Sequence, residues 1–270
     1  MAEKQAKNIL KVKNDIVFQS LFNQANEKIT KSFVESILEE KVDKIQINET
    51  KELFRENPED KMGALDLELD INDNEKVDVE IQLIVNKNFP SRLLYYFSKL
   101  YASTIKVGED YEKAKRTIIV AILGDDFEIT RKLKEMETKW RIMCKNHPEL
   151  ELTNKFEIII IELNKARSSY LKNKNDPKTQ WAMFIEDTES REVEEIMEKN
   201  EEIKEAVVTV RKMSEDEKMQ RLAYLREKYI LEKNSAYSSR KARTEEKSGR
   251  KEREKRTGEK NEIRKLQKNY

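Results

Sequence analysis

The sequence predicts an α/β fold, a mixed sheet flanked by helices. Three observations lead there. Arg116 to Leu123 (RTIIVAIL) and Phe156 to Leu163 (FEIIIIEL) are near-continuous apolar runs, which suit strands covered on both faces. Ala64 to Ile71 (ALDLELDI) and Val77 to Leu83 (VDVEIQL) alternate apolar and polar residues around Asn72-Asp73-Asn74-Glu75, a turn composition, and read as a β-hairpin. Phe89 to Ile105 carries helical spacing between those strands, with Pro90 tolerated in its first turn.

The other elements follow in chain order. Asn14 to Leu21 starts a helix that Asn14 or Asp15 can cap, with Val17, Phe18, Leu21 and Phe22 apolar. Phe33, Val34, Ile37 and Leu38 mark a second helix ending near Glu40. Lys44 to Thr50 alternates as a short strand, and Leu53 to Lys61, charged and holding Pro58, is a link. Glu135 to Cys144 fits a helix or part of a subdomain. Gln180 to Ile185 packs back as a short helix, and Val193 to Met213 and Glu215 to Lys233 read as helices. Beyond about Asn234 the apolar periodicity ends. This organisation is a core domain over 1–185, an acidic-to-mixed helical region over 186–233 and a charged tail, helical or disordered, over 234–270.

Composition excludes several classes. The 270 residues carry 54 Lys and Arg against 53 Asp and Glu, a net charge of +1. That sum hides an acidic block at 186–205, ten acids against three bases, and a basic tail at 240–270, thirteen bases against six acids. Neither a uniformly basic nor a uniformly acidic partner surface follows. One cysteine, Cys144, cannot form an internal disulfide, and one histidine, His147, cannot build a His-rich zinc site. No run approaches the roughly 18 to 20 apolar residues of a membrane span. The chain reads as cytoplasmic and reduced.

Chemistry concentrates on the hairpin. With the turn centred on Asp73, Asp66 falls opposite Glu80 and Glu68 opposite Asp78, about 5 Å apart at Cβ. Asp66, Glu68, Asp70, Asp78, Glu80 and Gln82 then share one face. Like charges repel, so three explanations stand open: the face is solvated, it meets buried Lys or Arg, or it binds a hard divalent cation.

The stretch Asn14-Asp15-x-x-Phe18-x-x-Leu21-Phe22, the hairpin from Leu65-Asp66 to Glu80-x-Gln82, the helix Phe89-Pro90-x-Arg92-x-x-x-Tyr96 and Gly108-x-x-Tyr111 together resemble the Rpn-type recombination-promoting nucleases and transposase-like proteins of the PD-(D/E)XK superfamily. FEIIIIELNKA (Phe156 to Ala166) and the charged C-terminal arm resemble the same family. The resemblance implies a restriction-endonuclease-like α/β core, Mg²⁺ as cofactor with Mn²⁺ as substitute, DNA as partner, and metal-assisted hydrolysis of phosphodiester bonds. It also admits a homodimer, and a C-terminal arm touching DNA or a protein.

By the same resemblance Asp66 and Glu80 are the two active-site acids, holding metal with the main-chain carbonyl of Ile81. Gln82 stands where the superfamily carries lysine. It can hydrogen-bond a water or a phosphate oxygen but brings no charge. An upstream helical acid completes such sites; Asp15 is the first candidate and Glu39 the second, with a helix cap as the plainer role for Asp15. Arg92 and Tyr96 share a helix face and, with Lys99, are candidate phosphate contacts. Glu162 and Lys165 are candidate supporting groups. The alternative function is an inactive nuclease fold that binds DNA or protein.

Overall fold

A computed structural model describes residues 9–48, 66–83, 85, 87–232 and 235. The chain divides into two compact units, Met1–Ala223 and Tyr224–Tyr270.

The first unit opens with helix α1 (Asp15–Leu21), capped by the Asn14 side chain, which accepts the Ile16 amide at 3.1 Å. Helix α2 (Glu27–Leu38) ends on Glu39 in the left-handed conformation. Strand β1 (Ile45–Asn48) leads to the hairpin of β2 (Leu67–Ile71) and β3 (Glu75–Gln82). Asn72 and Asp73 have φ of 49° and 64°, a region that short polar side chains tolerate. Helix α3 (Phe89–Ser103) crosses over to β4 (Arg116–Leu123). Strand β5 (Glu137–Trp140), the small hairpin of β6 (Met143–Cys144) and β7 (His147–Glu151), and strand β8 (Phe156–Glu162) follow. Helices α4 (Ala166–Lys172), α5 (Pro177–Glu186), α6 (Arg191–Met197) and α7 (Glu201–Met213) close the sequence of packed elements.

Six strands form one mixed sheet in the order β1-β2-β3-β4-β8-β5. Strands β3, β4 and β8 run parallel in its centre; β1, β2 and β5 are antiparallel to their neighbours. The two apolar runs are the central pair, as expected, because both their faces are covered. Ile118, Val120, Ile122, Ile159 and Ile161 meet the core under α1, α2, α5, α6 and α7. Ile119, Ala121, Leu123, Ile158 and Ile160 meet Phe89, Leu93, Tyr96, Phe97 and Leu100 of α3. On the first side Phe18, Phe22, Phe33, Trp181 and Phe184 form one aromatic cluster, with Phe22 stacked on Phe33 at 4.4 Å and Trp181 edge-on to Phe33 at 5.6 Å. At the start of the parallel strands Arg116 binds Glu75 at 2.9 Å and Glu157 at 2.8 Å, pinning three strands together.

Three expectations need correction. Glu135 to Cys144 forms no helix; it supplies the edge strand β5 and the start of the small hairpin, because Thr138 to Trp140 pair with Ile158 to Ile160. The core does not stop near residue 185: Val193, Ile196, Ile203, Ala206, Val207 and Val210 are buried in it. The acidic count of residues 186–205 belongs to the end of α5, the link after it and the outer faces of α6 and α7. Val193 to Met213, expected as one helix, divides into α6 and α7.

Leu53 to Lys61, the start of the expected β2 at Ala64 and Leu65, and nearly all of 234–270 lie outside the described residues. In the second unit residues 224–232 are helical, with the Arg226 guanidinium 5.5 Å from the Tyr229 ring centroid.

Candidate active site

The hairpin pairs in the expected register, with Leu67 opposite Val79 and Glu68 opposite Asp78. Its odd-numbered residues enter the helical core. Its even-numbered residues lie on the other face, beside Ile119, Ala121 and Leu123 of β4, where α3 packs.

That acidic face has two halves with different chemistry. Near the turn, lysines neutralise it. Lys76 Nζ binds Glu68 and Asp70, Lys115 Nζ binds Asp70 at 2.9 Å, and Asn48 donates to both acids. Burial pushes the Asp70 carboxyl up, but hydrogen bonds from Asn48, Lys115 and Lys76 outweigh it and hold the group at about 2.

Toward the strand ends no lysine intervenes among the described contacts. Asp78 is fully buried and neither carboxylate oxygen has a hydrogen-bond partner among the described residues. Burial raises its pKa well above the carboxylate range, and the charges of Glu80, Asp66 and Glu68 add to the rise. Glu80 is 7% exposed. Burial pushes it up to about 7, Arg92 opposes the rise and Asp66 adds to it. Its Oε2 is buried without a partner among the described residues. Asp66 accepts the Ile81 amide at 2.8 Å and the Gln19 side chain at 3.0 Å.

Helix α3 closes this end. Arg92 Nη2 lies 3.4 Å from Glu80 Oε1 and donates to Gln82 Oε1. The guanidinium sits over the rings of Phe89 and Tyr96, 5.6 and 5.9 Å from their centroids. Tyr96 is buried; burial first, then Glu80, raises its hydroxyl pKa. Gly124 fixes the neighbouring edge. Its amide donates to the Gln82 carbonyl at 3.0 Å, and a Cβ there would stand 3.2 Å from Leu83 Cα.

The expected residues therefore divide. Asp66, Glu80, Gln82 and Arg92 converge, linked through the Ile81 amide and the Arg92 guanidinium. Tyr96 packs beneath Arg92. Lys99 is half-buried, two turns further along α3. Asp15 occupies the first turn of α1, where it accepts the Ile16 amide at 2.9 Å, one helical turn before Gln19. Glu39 is not at this site: it binds Lys139 at 2.7 Å and Lys178 at 2.8 Å, near edge strand β5, and these bonds lower its pKa to about 2. Glu162 and Lys165 form a buried support for the loop after β4. Glu162 accepts from Phe127 N, Thr130 Oγ1 and Lys165 Nζ.

Two participants were not singled out from the sequence, Gln19 as the partner of Asp66 and Asp78 as a dry, unpaired acid. The hairpin register placed Asp78 on the right face; only the cover of α3 makes it dry.

The donor set suits a hard cation. Among the described residues no three His, Cys, Asp or Glu side chains form a ready-made cage. Mg²⁺, however, is commonly bound by one or two carboxylates plus waters. Asp66, Glu80 with its unpartnered Oε2, and the carbonyl of Ile81 offer oxygen donors of that kind.

A mixed sheet that presents an acid just before one hairpin strand and an acid-x-glutamine on the next, with helices over both faces, has the architecture of the PD-(D/E)XK nucleases. A family model described as PD-(D/E)XK nuclease family transposase matches residues 12–240, and the chain belongs to that family. No curated protein and no solved structure matches the chain. Membership assigns a nuclease- or transposase-related class. Among the described residues, no helix is long and apolar enough to cross a membrane.

Proposed function

We propose that the chain is a divalent-cation-dependent DNA endonuclease, connected with recombination or mobile elements. The observation that carries this reading is the end of the hairpin that no lysine neutralises among the described residues, where a single long Arg92 contact is the only cation on Glu80. Glu80 is buried beside Asp66 with an Oε2 that has no partner among the described residues, and a few residues away the same face is saturated by lysines. Burying uncompensated carboxylates costs several kcal/mol unless something cationic joins them. A site kept in that condition suits a cation that arrives from solution.

Asp66, Glu80 and the Ile81 carbonyl would hold Mg²⁺ or Mn²⁺. When bound, the ion lowers the pKa of a water and offsets charge on a phosphate. The chain's own groups do the rest. Gln19 and the Ile81 amide orient Asp66. Gln82 positions a water or phosphate oxygen. Arg92, Lys99 and the Tyr96 hydroxyl line the approach for the backbone of DNA. Asp15, one turn from Gln19, is placed to contribute a further acid. Residues 234–270 would add sequence-independent phosphate contacts. A single cysteine and the absence of apolar spans support a cytoplasmic location.

The test is nicking of supercoiled plasmid. Wild type should cut with Mg²⁺ or Mn²⁺, while Asp66→Ala and Glu80→Ala should abolish cutting. Undiminished cutting by both variants would sink the assignment. A second reading, a DNA- or protein-binding module without activity, is left open by the modest net charge of +1.

A further inference from the structure

The superfamily signature ends on a lysine, and Gln82 brings no charge to that place. The place is nevertheless occupied by a cation. Arg92 crosses from α3, donates through Nη2 to Gln82 Oε1, and stands 3.4 Å from Glu80 Oε1. We propose that Arg92 and Gln82 divide between them the work of one lysine: Gln82 anchors the guanidinium, and Arg92 supplies the positive charge beside the phosphate. The proposal rests on the nuclease reading and specifies how that site is charged.

Three features support it. Gln82 accepts from Arg92, so the amide fixes the guanidinium's position instead of competing with it. Phe89 and Tyr96, both buried, underlie the guanidinium plane and restrict its rotation. Arg92 Nε is buried without a partner among the described residues, so Gln82 and Glu80 do not saturate the guanidinium. A lysine ammonium could not bridge to Gln82 and keep the planar fork that suits phosphate. A purely structural ion pair is a poorer account. The contact to Glu80 is a single long one on a side chain that is 30% exposed, and such pairs contribute little.

The geometry also makes the two cations mutually exclusive. A lysine at 82 would reach into the space that the Arg92 Nη2 group now fills. The experiment uses that exclusion. Full-length wild type, R92M, Q82K and the double variant R92M/Q82K are compared in single-turnover plasmid cleavage at saturating DNA with Mg²⁺. Binding of a duplex oligonucleotide is measured in parallel by fluorescence anisotropy with Ca²⁺. R92M should lose about 100-fold in cleavage rate. The double variant should recover at least about 10-fold of that loss. Q82K alone should fall below wild type, because two cations then crowd one place. Thermal melts confirm folding, and R92Q replaces R92M in both arms should R92M not fold.

A double variant no faster than R92M overturns the proposal, as does an R92M that cuts like wild type. If no protein cuts with Mg²⁺ or Mn²⁺, the nuclease reading fails and the binding arm decides alone. Affinity lost in R92M and restored by Q82K then upholds the exchange of charge, and affinity not restored overturns it.

Discussion

The main-chain amide of Ile81 donates to the carboxylate of Asp66 at 2.8 Å. Asp66 precedes strand β2 and Ile81 lies on β3, so the bond closes the hairpin at its open end and draws Asp66 to the strand that carries Glu80. The Gln19 side chain completes the hold from helix α1. Each hydrogen bond to a carboxylate orients it before any cation arrives, as supporting groups do around metal ligands.

Removing that support should weaken the site without destroying it. Gln19→Ala is expected to lower nicking by about 10-fold, chiefly by raising the Mg²⁺ concentration for half-maximal rate. A Mg²⁺ titration of nicking checks this. An unchanged half-maximal concentration would show that Gln19 does not orient Asp66.

Glu80 sets a pH dependence. Its folded-state pKa is raised by burial from 4.5 to about 7. Between those values the folded protein holds a proton that the unfolded chain has released, so stability falls as pH rises through this window. The full penalty, on the order of 3 kcal/mol, is present above about pH 7 and absent below about 4.5. Glu80→Gln should flatten that part of the profile, and thermal unfolding from pH 4.5 to 8 without divalent ions checks it. In wild type the deprotonated, cation-binding form grows over the same range, so nicking should rise toward neutral pH.

Asp78 is a fully buried carboxyl with no partner among the described residues. Asp78→Asn removes the ionisable group at nearly constant volume. It should stabilise the protein at pH 8 by on the order of 1–3 kcal/mol, and by less at pH 5. Denaturant unfolding at the two pH values measures this, and equal effects at both would contradict it.

Gly124→Ala should disturb the site through the backbone. The new Cβ would lie 3.0 Å from Leu83 Cδ2, 3.2 Å from Leu83 Cα and 3.3 Å from Leu83 O. The flexible side chain can turn away but the main chain cannot. The end of β3 should shift, and with it the amide bond from Gly124 to the Gln82 carbonyl. We expect a loss of about 1–3 kcal/mol in urea unfolding and reduced nicking.

How far the sequence could be read depends on the range of each signal. The register of the hairpin was legible to the residue because alternation and turn chemistry are local; Glu68 opposite Asp78 followed from the position of Asp73, although β3 starts at Glu75 and not at Val77. The strands β4 and β8 were legible because burial on both faces leaves an unbroken apolar run. Strand β5 was not. ETKW has neither a run nor a clear alternation, and its strand character comes from pairing with β8. Glu39 and Asp15 both read as helical acids, and what removes Glu39 from the site is its pairing with Lys139 and Lys178, far off in sequence.

The residue types at Asp66, Glu80 and Gln82, and their shared face, follow from strand periodicity, and the sequence alone settles them. What each group does there follows from packing. The same face carries Asp70, held ionised by Asn48 and two lysines, and Asp78, left dry and without a partner among the described residues. No pattern along the chain separates those two aspartates. Helix α3 does, because its seat over one end of the sheet excludes water from Asp78 and Glu80 and brings Arg92 to Gln82. Solvation and charge pairing are properties of three-dimensional neighbours, and the tertiary structure alone assigns them.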